Sequence, residues 1–291
     1  MKHKLSVKLI LIALITTTCE SEFDVTEELE EELIRAEDAR QIVLEPQLSK
    51  TDEAEKKQKQ LIIAILKSKT IMAKYTLKIH KNDMWIENME KSELYGMNTQ
   101  SSAFHVAKNR DNNEVYATDT NKNARKQIYL ALEHRISTIT NFNEILNKLA
   151  EGADSNVNYA QNEHDIKTEY NTLIENILAE ARKYAHNYFE RALIPLYDKQ
   201  DKLNSLSLDD LRELKDKFDE LQKIRDTCKT YAETIYNDFK NDKDKIRTGV
   251  VLHLRNYINK NHYKYKFKAL FKETEKPAYY ISQILNKIQT H

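Results

Sequence analysis

EYNTLIENILAEARKYAHNYFERA, residues 169–192, decides the fold. Its apolar residues are Tyr170, Leu173, Ile174, Ile177, Leu178, Ala181, Tyr184, Ala185, Tyr188, Phe189 and Ala192. They recur at steps of three and one, which keeps them on one stripe of a helix with about 3.6 residues per turn. The stripe lasts about six turns, so it predicts a long amphipathic helix that needs apolar neighbours on several sides. Pro195 is expected to end it, because proline has no N–H and its ring clashes with the preceding turn.

Working outward, the same period appears from Asp52 to Ile79 (Leu61, Ile62, Ile65, Leu66, Met72, Tyr75, Ile79). A shorter helix is expected over Asp83 to Leu94, with Trp85, Ile86 and Met89 inward and Gly96 as its stop. The stretch NRDNNEVYATDTNKN, residues 109–123, reads as a polar surface loop. Lys122 to Leu149 resumes the period through Ile128, Leu132, Ile136, Ile139, Phe142, Leu146 and Leu149, with Gly152 beyond it. Ser207 is an N-cap for a helix carrying Leu211, Leu214, Phe218, Leu221, Cys228, Tyr231, Ile235 and Phe239 to a break at Asn241-Asp242. Another helix is expected over Lys243 to Asn259, and a short one closes the chain after Pro277. The fold expected is all-α, a compact multi-helix bundle of about five to seven helices. It forms one domain over residues 58–291, behind an N-terminal tether.

Composition agrees. The 291 residues include three glycines and three prolines, against typical usage of about 7% and 5%. So few turn formers favour long helices over hairpins. Lys+Arg and Asp+Glu are equal at 46 each, so no overall positive field supports nucleic-acid binding.

Residues 1–18 read as a signal peptide: Lys2 and Lys4, an apolar run from Leu5 to Ile15 that is short for a membrane span, then Thr16-Thr17-Thr18. Cys19 stands where a bacterial lipoprotein carries its lipid, one cysteine at the end of the apolar run. Thr16 and Thr18 depart from the usual residues of such a signal, and an ordinary cleaved leader is the alternative. Residues 19–57 are then an anchor and acidic tether, partly helical through Val25, Leu29, Leu33, Ala36 and Val43. Residues 20–57 hold fourteen acids against five bases, so self-repulsion keeps this segment extended. With Cys19 lipidated, Cys228 has no intrachain partner and is expected to pack as a small apolar residue.

Catalytic chemistry finds no foothold. Glycines only at 96, 152 and 249 cannot write a P-loop or a dinucleotide fingerprint. Two cysteines exclude a Cys-rich zinc site, and no HExxH pair occurs. Glu163-His164-Asp165 is the one tight acid–His cluster, at a helix entrance where solvated acids are ordinary. Asp198 to Asp210 is acid-rich but lacks the glycine and closing glutamate of a calcium loop. No catalytic, metal or cofactor site is therefore expected, and no enzyme. The unusual local pattern is Tyr263-Lys264-Tyr265-Lys266-Phe267-Lys268, within residues 251–291 that carry eight bases and two acids. One reading puts its rings on the core and its lysines outward. The other makes Tyr263, Lys264, Tyr265, Lys266 and Lys268 a contact patch for an acidic partner: sulphated glycan, host protein or anionic lipid.

Several segments carry a resemblance. They are Lys126-Gln127-Ile128-Tyr129-Leu130-Ala131-Leu132, Asn143-Glu144-Ile145-Leu146-Asn147-Lys148-Leu149, Leu206-Ser207-Leu208-Asp209-Asp210-Leu211, Ile224-Arg225-Asp226-Thr227 and Lys276-Pro277-Ala278-Tyr279-Tyr280. In this order, behind a lipoprotein signal and charged tether, they resemble the paralogous surface lipoproteins of Lyme-disease Borrelia. That family includes the complement regulator-acquiring surface protein. The resemblance spans roughly residues 55–280. It implies a helical, non-catalytic protein lipid-anchored and displayed on the cell outer membrane, meeting a host or tick protein in immune evasion or adhesion. One relative captures factor H and dimerises through its C-terminal helix, whereas many paralogues do not bind factor H. The present chain runs on past Lys276-Pro277-Ala278-Tyr279 for another helix, so neither that dimer nor any binding residue is carried over. A periplasmic scaffold lipoprotein with no host ligand is the alternative.

Overall fold

The computed structural model describes residues 52–85, 87, 97, 102–153 and 163–288, apart from the side chains at 52 and 163–165. The signal peptide, Cys19, most of the acidic tether, Gly96 and the side chains of Glu163-His164-Asp165 lie outside the described residues. Ser49–His291 forms one compact unit. Among the described residues it is all-α, with an isolated antiparallel bridge between Lys108 and Val115 as its only β pairing. No described helix is long and apolar enough to cross a membrane.

In chain order the helices are α1 (Asp52–His80), α2 (Ala103–Val106), α3 (Lys122–Ala131), α4 (Ile136–Ala150), α5 (Glu163–Ala185) and α6 (Ile194–Lys199). Then come α7 (Leu208–Lys240), α8 (Val251–Lys260), α9 (Tyr263–Glu273) and α10 (Glu275–Asn286). The stripe on α5 does what its width demands. Its first half (Tyr170, Leu173, Ile174, Leu178) enters a core shared with α3, α4 and α8, through Ile128, Tyr129, Ile139, Leu149 and Leu254. Its last turn, Tyr184 and Ala185, enters another core with Ile62 and Leu66 of α1, Leu211 and Leu214 of α7, and Ile281 and Leu285 of α10. The long α7 also serves both, with Phe218 in one and Phe239 in the other. Ser207 caps α7 as expected, its side chain accepting the Asp210 N–H at 3.0 Å.

Pro195 does not end the rod. Beyond α5 the chain continues as a π-helix over His186–Leu193, with the Ile194 N–H bonded to the Phe189 carbonyl, and passes into α6. Pro195 sits in the first turn of α6, where a missing N–H does no harm because the wider turn before it has already interrupted the α ladder. The π segment buries Tyr188, Phe189, Ala192 and Leu193.

Three further expectations are corrected. Lys122 to Leu149 is two helices, because Glu133 and His134 take positive φ of 58° and 53°. Neither is glycine; tertiary contacts hold the bend. Thr76 Oγ1 donates to the Glu133 carbonyl at 3.0 Å, Arg225 Nε to its carboxylate at 2.8 Å, and the His134 N–H to the Tyr129 carbonyl at 2.8 Å. The next helix begins at Val251 rather than Lys243. Asp242, left-handed at φ 52°, accepts the N–H groups of Arg247 at 2.8 Å and Thr248 at 2.9 Å, which fixes a turn instead. Asp83 opens no helix: Asn82 closes a turn by accepting from the Met84 and Trp85 N–H groups, and most of the expected segment beyond lies outside the described residues.

The polar stretch 109–123 is not a free loop. Asn109 and Asn121 are buried, and Asn109 Nδ2 donates to Asn121 Oδ1 at 2.6 Å. Arg182 of α5 donates to Asn109 Oδ1 and to the Asp111 carboxylate, both at 2.8 Å. Arg125 of α3, ion-paired with Glu87 at 2.7 Å, donates to the carbonyls of Tyr116 and Thr118.

Candidate functional site

Two places gather unusual chemistry. The first is a half-buried cluster between helices. Glu190, in the π segment, has His186 Nδ1 at 2.9 Å, Gln127 Nε2 donating at 3.0 Å, and His80 Nε2 at 3.6 Å, an ionic rather than hydrogen-bonding distance. The proximity of His80, with the bonds from His186 and Gln127, holds the Glu190 carboxyl down at about 2. The His134 ring lies 6.1 Å from that of His80 and is buried. Burial, then the charges of His80 and Lys126, lower it to about 3, so it is neutral at physiological pH. This arrangement leaves no nucleophile beside a base. Cys228 is half-buried and its thiol is pushed up to about 12 by burial, which keeps it protonated and unreactive. Among the described residues no three His, Cys, Asp or Glu side chains are grouped to hold a metal ion. The acids of 198–210 are spent on structure: Asp198 pairs with Lys81, Asp201 with Lys67, and Asp210 with Lys287.

The second place is the outer face of α9 and α10. Thr274 between them stays helical (φ −69°, ψ −23°), and the Ala278 N–H reaches the Thr274 carbonyl at 3.1 Å, so helical phase is kept across the joint. Thr274 is fully buried and its hydroxyl accepts from Asn187 Nδ2 of the π segment at 3.0 Å, which ties the joint to the central rod. Both helices turn one face inward: Tyr263, Thr274, Ala278, Ile281 and Leu285 are buried. The opposite face then lines up Tyr265, Lys268, Lys272, Lys276 and Tyr279, all exposed, at steps of three and four.

The sequence-level patch divides on this geometry. Tyr263 points into the core, against Tyr257 and Phe267. Lys266 lies over the rings of Tyr231 and Tyr263, at 5.3 and 5.1 Å. Lys264, Tyr265 and Lys268 remain outward, with Tyr265 66% exposed. The reach of the face to Lys272, Lys276 and Tyr279 was not read from sequence. Its signal was lysine every fourth residue from 264 to 276, which keeps charges on one side of a helix. Those four lysines make no ion pair with a described residue, whereas Lys67, Lys69, Lys81, Lys215 and Lys217 are all paired. Arg191 of the π segment lies 5.4 Å over the Tyr279 ring and adds a cation to the same face.

Residues 85–286 match the family described as Borrelia Bbcrasp-1 domain containing protein. The chain belongs to that family. Solved structures share the fold. BSA64 of Borrelia spielmanii, an orthologue of BBA64 of Borrelia burgdorferi, superposes with a TM-score of 0.59 at 19% identity, over 80% of this chain and 99% of that one. The outer surface lipoprotein BBA64 of Borrelia burgdorferi gives 0.55 at 16% identity, over 82% and 100%. The Lyme disease associated outer surface protein BBA65 of the same species gives 0.54 at 19%, over 76% and 98%. No curated protein matches the chain. The matched region begins at Trp85 and closes at the end of α10, so it contains both the π segment of the Glu190 cluster and the outward face.

Proposed function

We propose that this chain is a non-catalytic lipoprotein of the bacterial outer surface that acts by contact with a host or tick molecule, in immune evasion or adhesion. Cys19 carries the lipid, and the acidic stretch before α1 serves as the tether. The observation that carries the contact reading is the outward row on α9 and α10, where exposed Lys268, Lys272 and Lys276 make no ion pair with a described residue. Display is supported by the structural relatives BBA64 and BBA65, which are outer surface proteins, and by the single cysteine at the end of the apolar leader.

Protease treatment of intact cells tests display: the chain should be removed under conditions that spare periplasmic markers. Survival of the chain there would refute it. Labelled fatty acid should enter the wild-type chain and not Cys19→Ala. Purified factor H is the first protein partner to assay, and absence of binding at micromolar concentration excludes it.

A further inference from the structure

We propose that the outer face of α9 and α10 is a binding track for a linear sulfated polysaccharide, an inference that rests on the contact reading above and gives it a ligand class. The face continues from α9 into α10, because the inward positions keep one helical period through Thr274. From Tyr265 to Tyr279 it extends about 21 Å at 1.5 Å per residue. Along it Lys268, Lys272 and Lys276 offer exposed ammonium groups about 6 Å apart, with Arg191 at the far end. Tyr265 and Tyr279 flank the lysines at the two ends of the row, 66% and 47% exposed, with Arg191 against the Tyr279 ring.

Charge complementarity selects the ligand. An unpaired row of cations calls for a row of anions, and lysines on flexible stems accept irregularly spaced charges that a rigid arginine fork would not. Sugar rings present C–H faces that lie against the aromatic face of tyrosine. An anionic membrane fits less well. A helix that lies on lipid must expose an apolar face, and here Phe267, Phe271, Ala278, Ile281 and Leu285 are turned into the two cores. A folded protein partner would want an apolar anchor point, and the outward row has none beyond its tyrosines.

The test is direct binding of size-fractionated heparin, a linear sulfated polysaccharide, to the purified full chain. The combined variant Lys268→Gln, Lys272→Gln, Lys276→Gln should bind about a hundredfold more weakly, from about fivefold per lysine near an anionic surface. A charge-matched control, Lys74→Gln, Lys78→Gln, Lys223→Gln, takes exposed lysines from α1 and α7 and should keep wild-type binding. Circular dichroism of both variants verifies the fold, since all six side chains are exposed. Tyr265→Ala should weaken binding severalfold and Tyr265→Phe should not. Desulfated heparin, single-stranded DNA and phosphatidylglycerol vesicles should each bind less well than heparin. The inference is overturned if heparin does not bind, if the control loses as much as the track variant, or if DNA or vesicles bind at least as tightly. Solution binding does not depend on display, so failure here with protease-sensitive display on cells defeats the ligand class alone.

Discussion

Around Leu66 and Phe189 the protein is held by interleaved helix faces. Around Phe104 and Tyr129 it is held by aromatic rings laced with buried polar bonds. The first core takes leucine, isoleucine and alanine from α1, α7 and α10 against the π segment. The second packs Phe104 on Tyr116 with ring centroids 5.9 Å apart, and Phe104 edge-on to Tyr129 at 6.1 Å. It is bordered by Arg125–Glu87 and by the Asn109–Asn121–Arg182 network. The difference teaches that one half of the molecule is specified by period and the other by partners. A helix face tolerates local change as long as volume is kept, whereas a buried polar network fails when one member goes.

The largest expected effect tests the network. Arg125→Ala leaves the largely covered Glu87 without its cation and two carbonyls unmet, and should cost about 3–5 kcal/mol in denaturant unfolding. A loss under about 1 kcal/mol would mean that the second core is held by its rings alone. Leu66→Ala, in the first core, should cost about 2–5 kcal/mol through a cavity. Leu66→Met should recover most of that loss, because the volume is nearly kept. Gly152→Ala sharpens the contrast further. A Cβ there would stand 2.6 Å from the buried ring of Tyr170, so the second core should lose about 1–3 kcal/mol to overpacking.

Acid should act on the ground between the cores. His134 is held neutral down to about 3 in the fold and titrates near 6.5 once unfolded. The unfolded chain therefore binds the proton first, and stability falls as pH drops below 6.5, by roughly 1.4 kcal/mol per unit. Glu190, lowered to about 2, contributes fully above its ordinary value of 4.5 and loses that contribution as pH falls toward 2. His134→Asn, which tolerates the positive φ, should flatten the slope between pH 6.5 and 4.5; an unchanged slope would place the acid sensitivity elsewhere. The smallest effect is local: Ser207→Ala should cost about 1 kcal/mol by removing the cap of α7.

What could be read from sequence follows the same division. The stripe on α5, the length of α1 and α7 and the Ser207 cap are local properties, and each is found in the structure. The bend at Glu133-His134 is not local. Neither residue favours positive φ as glycine does, and the bonds that hold it come from Thr76 and Arg225, far away in the chain. Likewise Asn109 and Asn121 carry the composition of an exposed loop, and only Arg182 and their mutual bond make burial affordable. The outward face was half visible. Lys264, Tyr265 and Lys268 stand out locally, but their continuation to Tyr279 requires Thr274 to stay helical, which Asn187 supports from the π segment.

The central rod has a mechanical meaning. Because α5 and the π segment together furnish a wall to each core, neither half can melt and leave the other intact. Heating should therefore give a single calorimetric transition rather than two. On the proposed display at the cell surface, such all-or-none behaviour would leave no half-open form for a protease to nick.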